Sequence, residues 1–269
     1  TPLETNSPLA EGPLAVGVTP GARNAGSVGG DALQRFGSGA QSDGAGSQTA
    51  KGVGLSVAIQ RPADGLKADL GTTPLGFKYT TAIGGISVDR PISDTSNVRY
   101  GVSVSRRAVT DSVTSFAGTT DKRSGQSWGG VSATGGRGQL SYDDNEVGAY
   151  GYASWHQLSG NHVESNNRTE LGSGVYWYLQ NATDSKLTVG LSMTGMSYAN
   201  NQDYFTYGHG GYFSPQTFFA LGIPVTWAQR SGRWTYQVKT SVGVQHFEQD
   251  SADYFPTDKA LQTASGLRY

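Results

Sequence analysis

The chain has 269 residues, with 39 glycines, 14 tyrosines, 5 tryptophans and no cysteine; 15% of residues are charged and the formal net charge is −1. Basic and acidic residues are mixed along the chain rather than blocked, which argues against nucleic acid as a partner. With 36% hydrophobic residues, a mean hydropathy of −0.41 and no long apolar run, it offers no membrane-spanning helix and little material for a filled core, whereas a barrel with a wet interior needs neither.

Residues 1–12, with Pro2 and Pro8, read as an irregular lead-in, and 13–36 as one or two short strands around Gly21 and Gly29. The opening Thr-Pro-Leu-Glu-Thr has no charged or apolar leader, so any signal peptide is expected to lie outside this sequence. Clear period-two alternation begins at Lys51. Val53, Leu55, Val57 and Ile59 share one face, Ser56 and Gln60 the other; Leu66, Ala68 and Leu70 then oppose Lys67 and Asp69. The connector Arg61-Pro62-Ala63-Asp64-Gly65 makes these two strands a hairpin. Further strands are predicted at 79–90, 97–109, 126–134, 137–143, 146–157, 169–180, 185–198, 217–228 and 233–248.

Within 146–157 the pattern is plain: Val147, Ala149, Gly151, Ala153 and Trp155 alternate with Glu146, Gly148, Tyr150, Tyr152, Ser154 and His156. A sandwich strand would bury its apolar row on a second sheet; here the opposite row is Gly, Ser, Tyr and charge throughout, which suits a watery lumen. Gly135-Gly136, Asp143-Asp144-Asn145, Asn181 to Asp184 and Arg230-Ser231-Gly232 read as tight connectors, while Thr110 to Gly125 and Asn200 to Gln216 read as long ones. The expected fold is an all-β, antiparallel transmembrane β-barrel of the outer membrane, one domain over 13–269. Its five tryptophans, Trp128, Trp155, Trp177, Trp227 and Trp234, are expected in interfacial girdles against outer-membrane lipid.

Several stretches carry a family resemblance. Asp69-Leu70-Gly71-Thr72-Thr73-Pro74-Leu75-Gly76-Phe77, Arg106 to Ser112, Trp128 to Gly136 running on to Tyr142-Asp143-Asp144, Gly210 to Gln216, and Ala252-Asp253-Tyr254-Phe255-Pro256-Thr257 together resemble the C-terminal outer-membrane domain of the bacterial cellulose synthase operon protein C family. The resemblance covers about residues 50–257. It implies a barrel of about 16 strands in the bacterial outer membrane through which nascent β-1,4-glucan leaves the cell. The implied partners are that polymer, a periplasmic helical-repeat region of the same polypeptide and the inner-membrane cellulose synthase. No repeat of about 34 residues occurs here, so the solenoid is expected to be absent from this chain. About 13 strands can be counted before Asp250 and Gly266 to Tyr269 adds at most one, so the barrel is expected to be incomplete or interrupted here.

A conduit for a neutral polysaccharide needs a wide bore, polar groups for hydroxyls and aromatic faces for sugar rings, but no nucleophile. Alternation assigns Lys67, Asp69, Arg99, Arg107, Tyr150, Tyr152, His156, Tyr176, Tyr178, Gln180, Lys186, Gln237, Lys239 and Gln245 to the lumen. They would contact polymer, or pair with one another; Arg99 and Arg107 call for an acid such as Asp69 or Asp89. Arg106 falls on the apolar row and is expected to snorkel at the membrane boundary. Tyr204, Phe205, Tyr207, His209, Tyr212 and Phe213, in the densest aromatic and glycine cluster, read as a gate at the pore mouth or as a self-packed surface loop. Asp69 to Phe77 reads equally as a structural bend built on Gly71, Pro74 and Gly76. His156, His162, His209 and His246 show no metal-ligand spacing and no Gly-x-Ser-x-Gly elbow occurs, so no catalytic residue, metal or cofactor is expected. The alternatives to glucan export are a receptor or adhesion barrel binding through its long loops, and a general diffusion porin.

Overall fold

The computed structural model describes residues 48–269 except Lys122 and Arg123, so the lead-in and the short strands expected within 13–36 lie outside the described residues. The rest is a single antiparallel meander. Its strands are β1 (Ser56–Arg61), β2 (Leu66–Thr72), β3 (Ala82–Pro91), β4 (Val98–Ala108), β5 (Thr119–Thr120), β6 (Ser127–Asp143), β7 (Val147–Asn161), β8 (Val163–Asn181), β9 (Ser185–Tyr198), β10 (Thr217–Ser231) and β11 (Trp234–Glu248). Each long strand pairs with its sequence neighbour in the order β1-β2-β3-β4-β6-β7-β8-β9-β10-β11, with two-residue β5 on β6. Among the described residues β1 and β11 do not pair with each other, so the wall is consistent with a barrel but is not closed. Two short α-helices lie outside the strands among the described residues: α1 (Val113–Ala117), between β4 and β5 and opened by a Ser112–Ser115 capping box, and α2 (Lys259–Ser265), after β11 and capped by Asp258. Among the described residues no helix is long and apolar enough to cross a membrane.

Strands β6 to β11 run 14 to 19 residues, longer than the roughly 9–11 residues that cross a bilayer. Directly opposed residues share a face, so the registers sort the sheet into two sides. One carries Val57, Leu70, Ile86, Val102, Leu140, Leu171, Leu191, Leu221 and Val242, all exposed. The other carries Asp69, Ser87, Arg99, Arg137, Tyr152, Glu170, Thr194 and Lys239. Water would make an exposed apolar side of this extent costly. The connections are sorted as well. Tight turns lie at one end, at 62–65, 92–97, 144–146, 182–184 and 232–233; at the other lie 73–81, 109–126, 199–216 and 249–269, with only His162 turning tightly there.

The structure corrects several expectations. Gly135-Gly136 is not a turn: both residues are extended inside the continuous strand β6. A Cβ at Gly135 would stand 2.0 Å from the Trp155 carbonyl oxygen, so glycine serves here for the close approach of β7. Strand β8 starts at Val163 rather than 169, and 79–81 precede β3 as loop. Asp69 to Thr72 belong to β2, and the bend starts only at Thr73, with Gly76 at φ 100°. Residues 259–265 form α2, and the tail adds only an isolated bridge between Asp253 and Arg268. Gln180 leaves the lumen row: a bulge after Tyr178 pairs it with Leu187 of the apolar row.

Four of the tryptophans fit a girdle, since Trp155, Trp177, Trp227 and Trp234 lie exposed on the apolar side. Trp128 does not, being 2% exposed. Gly129 and Gly130 adopt φ of 111° and 63°, and the β6–β7 register shifts between Gly129 and Ser132. That kink turns Trp128 inward against Val131, Leu158, Val163, Tyr198 and Tyr212.

Candidate functional site

Two assemblies occupy the polar side of the sheet. The first is the wall itself. On β2 to β4 the Arg107 guanidinium grips both carboxylate oxygens of Asp69, and Arg99 pairs with Asp89, its Nε 2.8 Å from Oδ1. Gln139 on β6 reaches Asp89 at 3.5 Å. Lys67, Ser87, Ser103 and Ser105 line the same shallow hollow as Asp69 and Arg107. These ion pairs are partly solvated, so each stabilises by about 1 kcal/mol or less. Arg106 lies on the opposite, apolar row near the loop end and reaches the Thr81 hydroxyl at 3.3 Å.

A denser network spans β6 to β8. Arg137 lies over the Tyr152 ring, 3.5 Å from its centroid. The Tyr152 hydroxyl donates to Glu170 at 2.8 Å; Glu170 faces Arg168 at 3.9 Å, and Arg168 stands 3.4 Å from Nδ1 of His156. Nearer the tight-turn end, the Tyr176 and Tyr178 hydroxyls both donate to Asp143 Oδ2, at 2.6 and 2.7 Å. Tyr152 and Tyr176 are buried, while Tyr150 is half-buried. Gln237, Lys239 and Gln245 follow on the polar row of β11, opposite Ala228, Thr226 and Ala220, and Lys186 opposes Ala228 from β9. The geometry thus brings Asp69 to Arg107, His156 and Tyr152 into one network, and Tyr176 to Tyr178.

Arg137, Asp143, Arg168 and Glu170 complete these groups and were not among the residues assigned to the lumen from the sequence; Asp143 was read there as part of a connector. Arg137 stood beside an apparent Gly-Gly turn, and Arg168 before the predicted start of its strand. Glu170 alternates correctly with Leu171 and was legible.

The second assembly is a cap at the end that carries the long loops. Segment 199–216 does not project; Gln202, Thr206, His209, Tyr212 and Ser214 are fully buried. Gln202 organises it, donating to Glu164 on β8 at 2.7 Å and accepting from the Gly210 amide at 3.0 Å. Asn166 donates to the Asn200 carbonyl and the Tyr212 hydroxyl, at 2.7 and 3.2 Å. Tyr207 meets Trp128 edge-on and stacks on His162. Phe213 packs between Phe218 and Phe247, its amide donating to Asp111 at 3.1 Å. The Phe205 ring lies against Gly211.

Segment 249–269 closes over this loop. His209 Nε2 stands 2.9 Å from the Asp253 carbonyl, Tyr204 stacks on Tyr269, and Tyr254 and Phe255 seal a second cluster with Tyr207, Leu261 and Leu267. The six gate-loop residues are therefore held together, with Tyr269 and the 252–257 motif as partners that sequence reasoning missed. Burial pushes the His209 imidazole down to about 4, opposed by its contact with Asp253. Burial raises the Asp111 carboxyl, against the pull of the Phe213 amide, and likewise raises the hydroxyls of Tyr212 and Tyr269. Among the described residues no three His, Asp or Glu gather as a metal site.

The model of the cellulose synthase operon protein C C-terminus matches residues 1–268. The chain belongs to that family. It is 57% identical over 261 residues to cellulose synthase operon protein C of Pseudomonas fluorescens, a match covering 97% of this chain and 20% of that protein. It is 43% identical over 221 residues to the protein of the same name from Xanthomonas axonopodis pv. citri, covering 81% and 14%. With that of Komagataeibacter xylinus the identity is 35% over 216 residues, covering 80% and 16%. The chain thus spans a fifth or less of the length of these relatives. The family model reaches beyond the 50–257 stretch that carried the motifs.

Proposed function

We propose that this chain forms the wall of an outer-membrane channel that passes nascent β-1,4-glucan from periplasm to cell surface. The observation that carries the reading is the two-sidedness of the sheet over its whole width: an exposed apolar side suited to lipid and a continuous polar, tyrosine-bearing side suited to a hydrated polymer. The choice of polymer is supported by family membership, since the relatives are named for the cellulose synthase operon. The wall performs no bond chemistry; polymer advance is driven by synthesis at the inner membrane, and a periplasmic repeat region of the same polypeptide guides the chain to the pore. The buried cap at one end acts as its gate.

The cap also favours a second reading, a plugged receptor whose loops bind a surface ligand. Single-channel conductance of the full-length protein in a planar bilayer, with and without cellohexaose, separates the readings. Concentration-dependent block supports glucan passage. A steady current indifferent to the sugar points to a general porin, and no current even after Tyr269→Ala opens the cap points to the receptor.

A further inference from the structure

On the β7–β8 wall three tyrosines face glycines directly across the strand pair: Tyr150 opposite Gly174, Tyr152 opposite Gly172 and Tyr176 opposite Gly148. Each ring occupies the space that a side chain on its partner would take. A Cβ on Gly148 would fall 2.0 Å from Cζ of Tyr176, one on Gly172 2.4 Å from Cε1 of Tyr152, and one on Gly174 2.6 Å from Cε1 of Tyr150. Carbon atoms in contact sit about 3.5–4 Å apart. None of the three glycines has a positive φ, so no left-handed backbone calls for glycine there. Glycine inside a strand normally weakens it. Gly172 and Gly174, at alternate positions on β8, and Gly148 across from them on β7 each lie beneath a ring, which offsets that loss by covering the bare backbone with an aromatic face.

The consequence is directional. A tyrosine on a strand ordinarily stands roughly perpendicular to the sheet, which on this side would drive its ring across the lumen. These rings instead lean over the neighbouring strand and lie along the wall. Tyr152 is held so by Arg137 and Glu170, and Tyr176 by Asp143.

We propose that Gly148, Gly172 and Gly174 are positioning residues that set the bore: each seats a tyrosine ring flat on the wall and so leaves room for a linear polysaccharide. The seat stands on geometry alone; the bore rests on the export reading above.

Gly174 and Tyr150 give the test, because Tyr150 is the least buried of the three rings. Thermal unfolding in detergent and single-channel conductance with cellohexaose are measured on full-length wild type, Gly174→Ala, Tyr150→Ala and the double variant. The added Cβ must lift the ring by about 1 Å to reach contact distance. Gly174→Ala is expected to lower both the unfolding midpoint and the conductance, and addition of Tyr150→Ala to recover both. Wild-type behaviour in Gly174→Ala, or losses that Tyr150→Ala does not recover, overturns the proposal. Should Gly174→Ala fail to fold, the double variant must fold, and its failure also overturns it. A stability coupling without a change in conductance refutes the bore and leaves the seat. Wild-type current indifferent to cellohexaose overturns the export reading instead, while the unfolding cycle still decides the seat.

Discussion

Tyr204, in the loop after β9, and Tyr269, in the segment that closes over it, stack face to face with centroids 3.7 Å apart and planes 7° from parallel. Tyr254 stacks on Tyr269 as well, at 4.7 Å and 18°. The shared ring ties two segments that belong to no strand.

Removing that ring should release the cap and spare the wall. Each aromatic pair adds about 0.5–1.5 kcal/mol beyond buried area, so Tyr269→Ala is expected to speed amide hydrogen exchange throughout 199–216 and leave β7 and β8 protected. Tyr269→Phe, which keeps the ring and loses the hydroxyl contacts with Thr206 and Tyr254, should stay closer to wild type than the Ala variant. Unaltered exchange in the Ala variant would show that the loop holds itself.

Glu170 is the acid on which the Arg168, Tyr152 and His156 network converges. Taking Glu170 away removes the 2.8 Å acceptor of the buried Tyr152 hydroxyl, at about 1–3 kcal/mol, and the acid that faces the partly buried Arg168. Glu170→Ala should therefore lower the urea midpoint of the folded barrel far more than Asp69→Ala, whose partner Arg107 is half-exposed. Equal shifts from the two variants would contradict this ranking.

Acid should loosen the cap through His209. Its folded value, about 4, lies below the ordinary 6.5 because burial favours the neutral ring. Above about 6.5 both folded and unfolded forms are neutral and nothing is lost. As pH falls from there toward 4 the released state takes up a proton that the folded cap refuses, at a cost on the order of 3 kcal/mol. Asp111 works the other way, its raised carboxyl gaining relative stability in the acid range. Exchange of the 199–216 amides should accelerate between about pH 6.5 and 4 in wild type and lose that dependence in His209→Gln. The same profile in both would clear His209 of the role.

Leu171 and Thr194 offer a test of the two sides. Leu171 is exposed on the apolar row of β8, and Thr194 lies on the polar row of β9. Arginine on a lipid-facing barrel position costs about 2–4 kcal/mol at the bilayer midplane and little near its edges. Leu171→Arg should lower stability in lipid vesicles, as followed by urea unfolding, while Thr194→Arg should be tolerated. The reverse order would invert the assignment of the faces.

Much of the wall was legible because alternation is local. Val57, Ile59, Leu70 and Trp155 announce their side by neighbours one residue away, and the pairing of Arg99 and Arg107 with acids followed from charge alone. Gly135-Gly136 was misread because two adjacent glycines look alike whether they turn a chain or admit a neighbouring backbone. Trp128 was misplaced because the kink at Gly129-Gly130 changes its side, and nothing in a period-two count foresees a change of hand. The cap was half legible. Its loop stood out by aromatic density, but its partners, Asp253, Tyr254 and Tyr269, are joined to it only by tertiary packing.

The kink at Gly129-Gly130 divides two regimes of solvent within one strand. On the sheet side of it, oily side chains stand exposed on one face and polar ones on the other; beyond it, Trp128 and its neighbours hide their rings as a water-soluble domain does. On the channel reading proposed above, lipid would hold the first arrangement and water the second, so detergent and denaturant should act on them unequally. The protein is inside-out along most of its height and conventional at one end, and the changeover takes two residues without side chains.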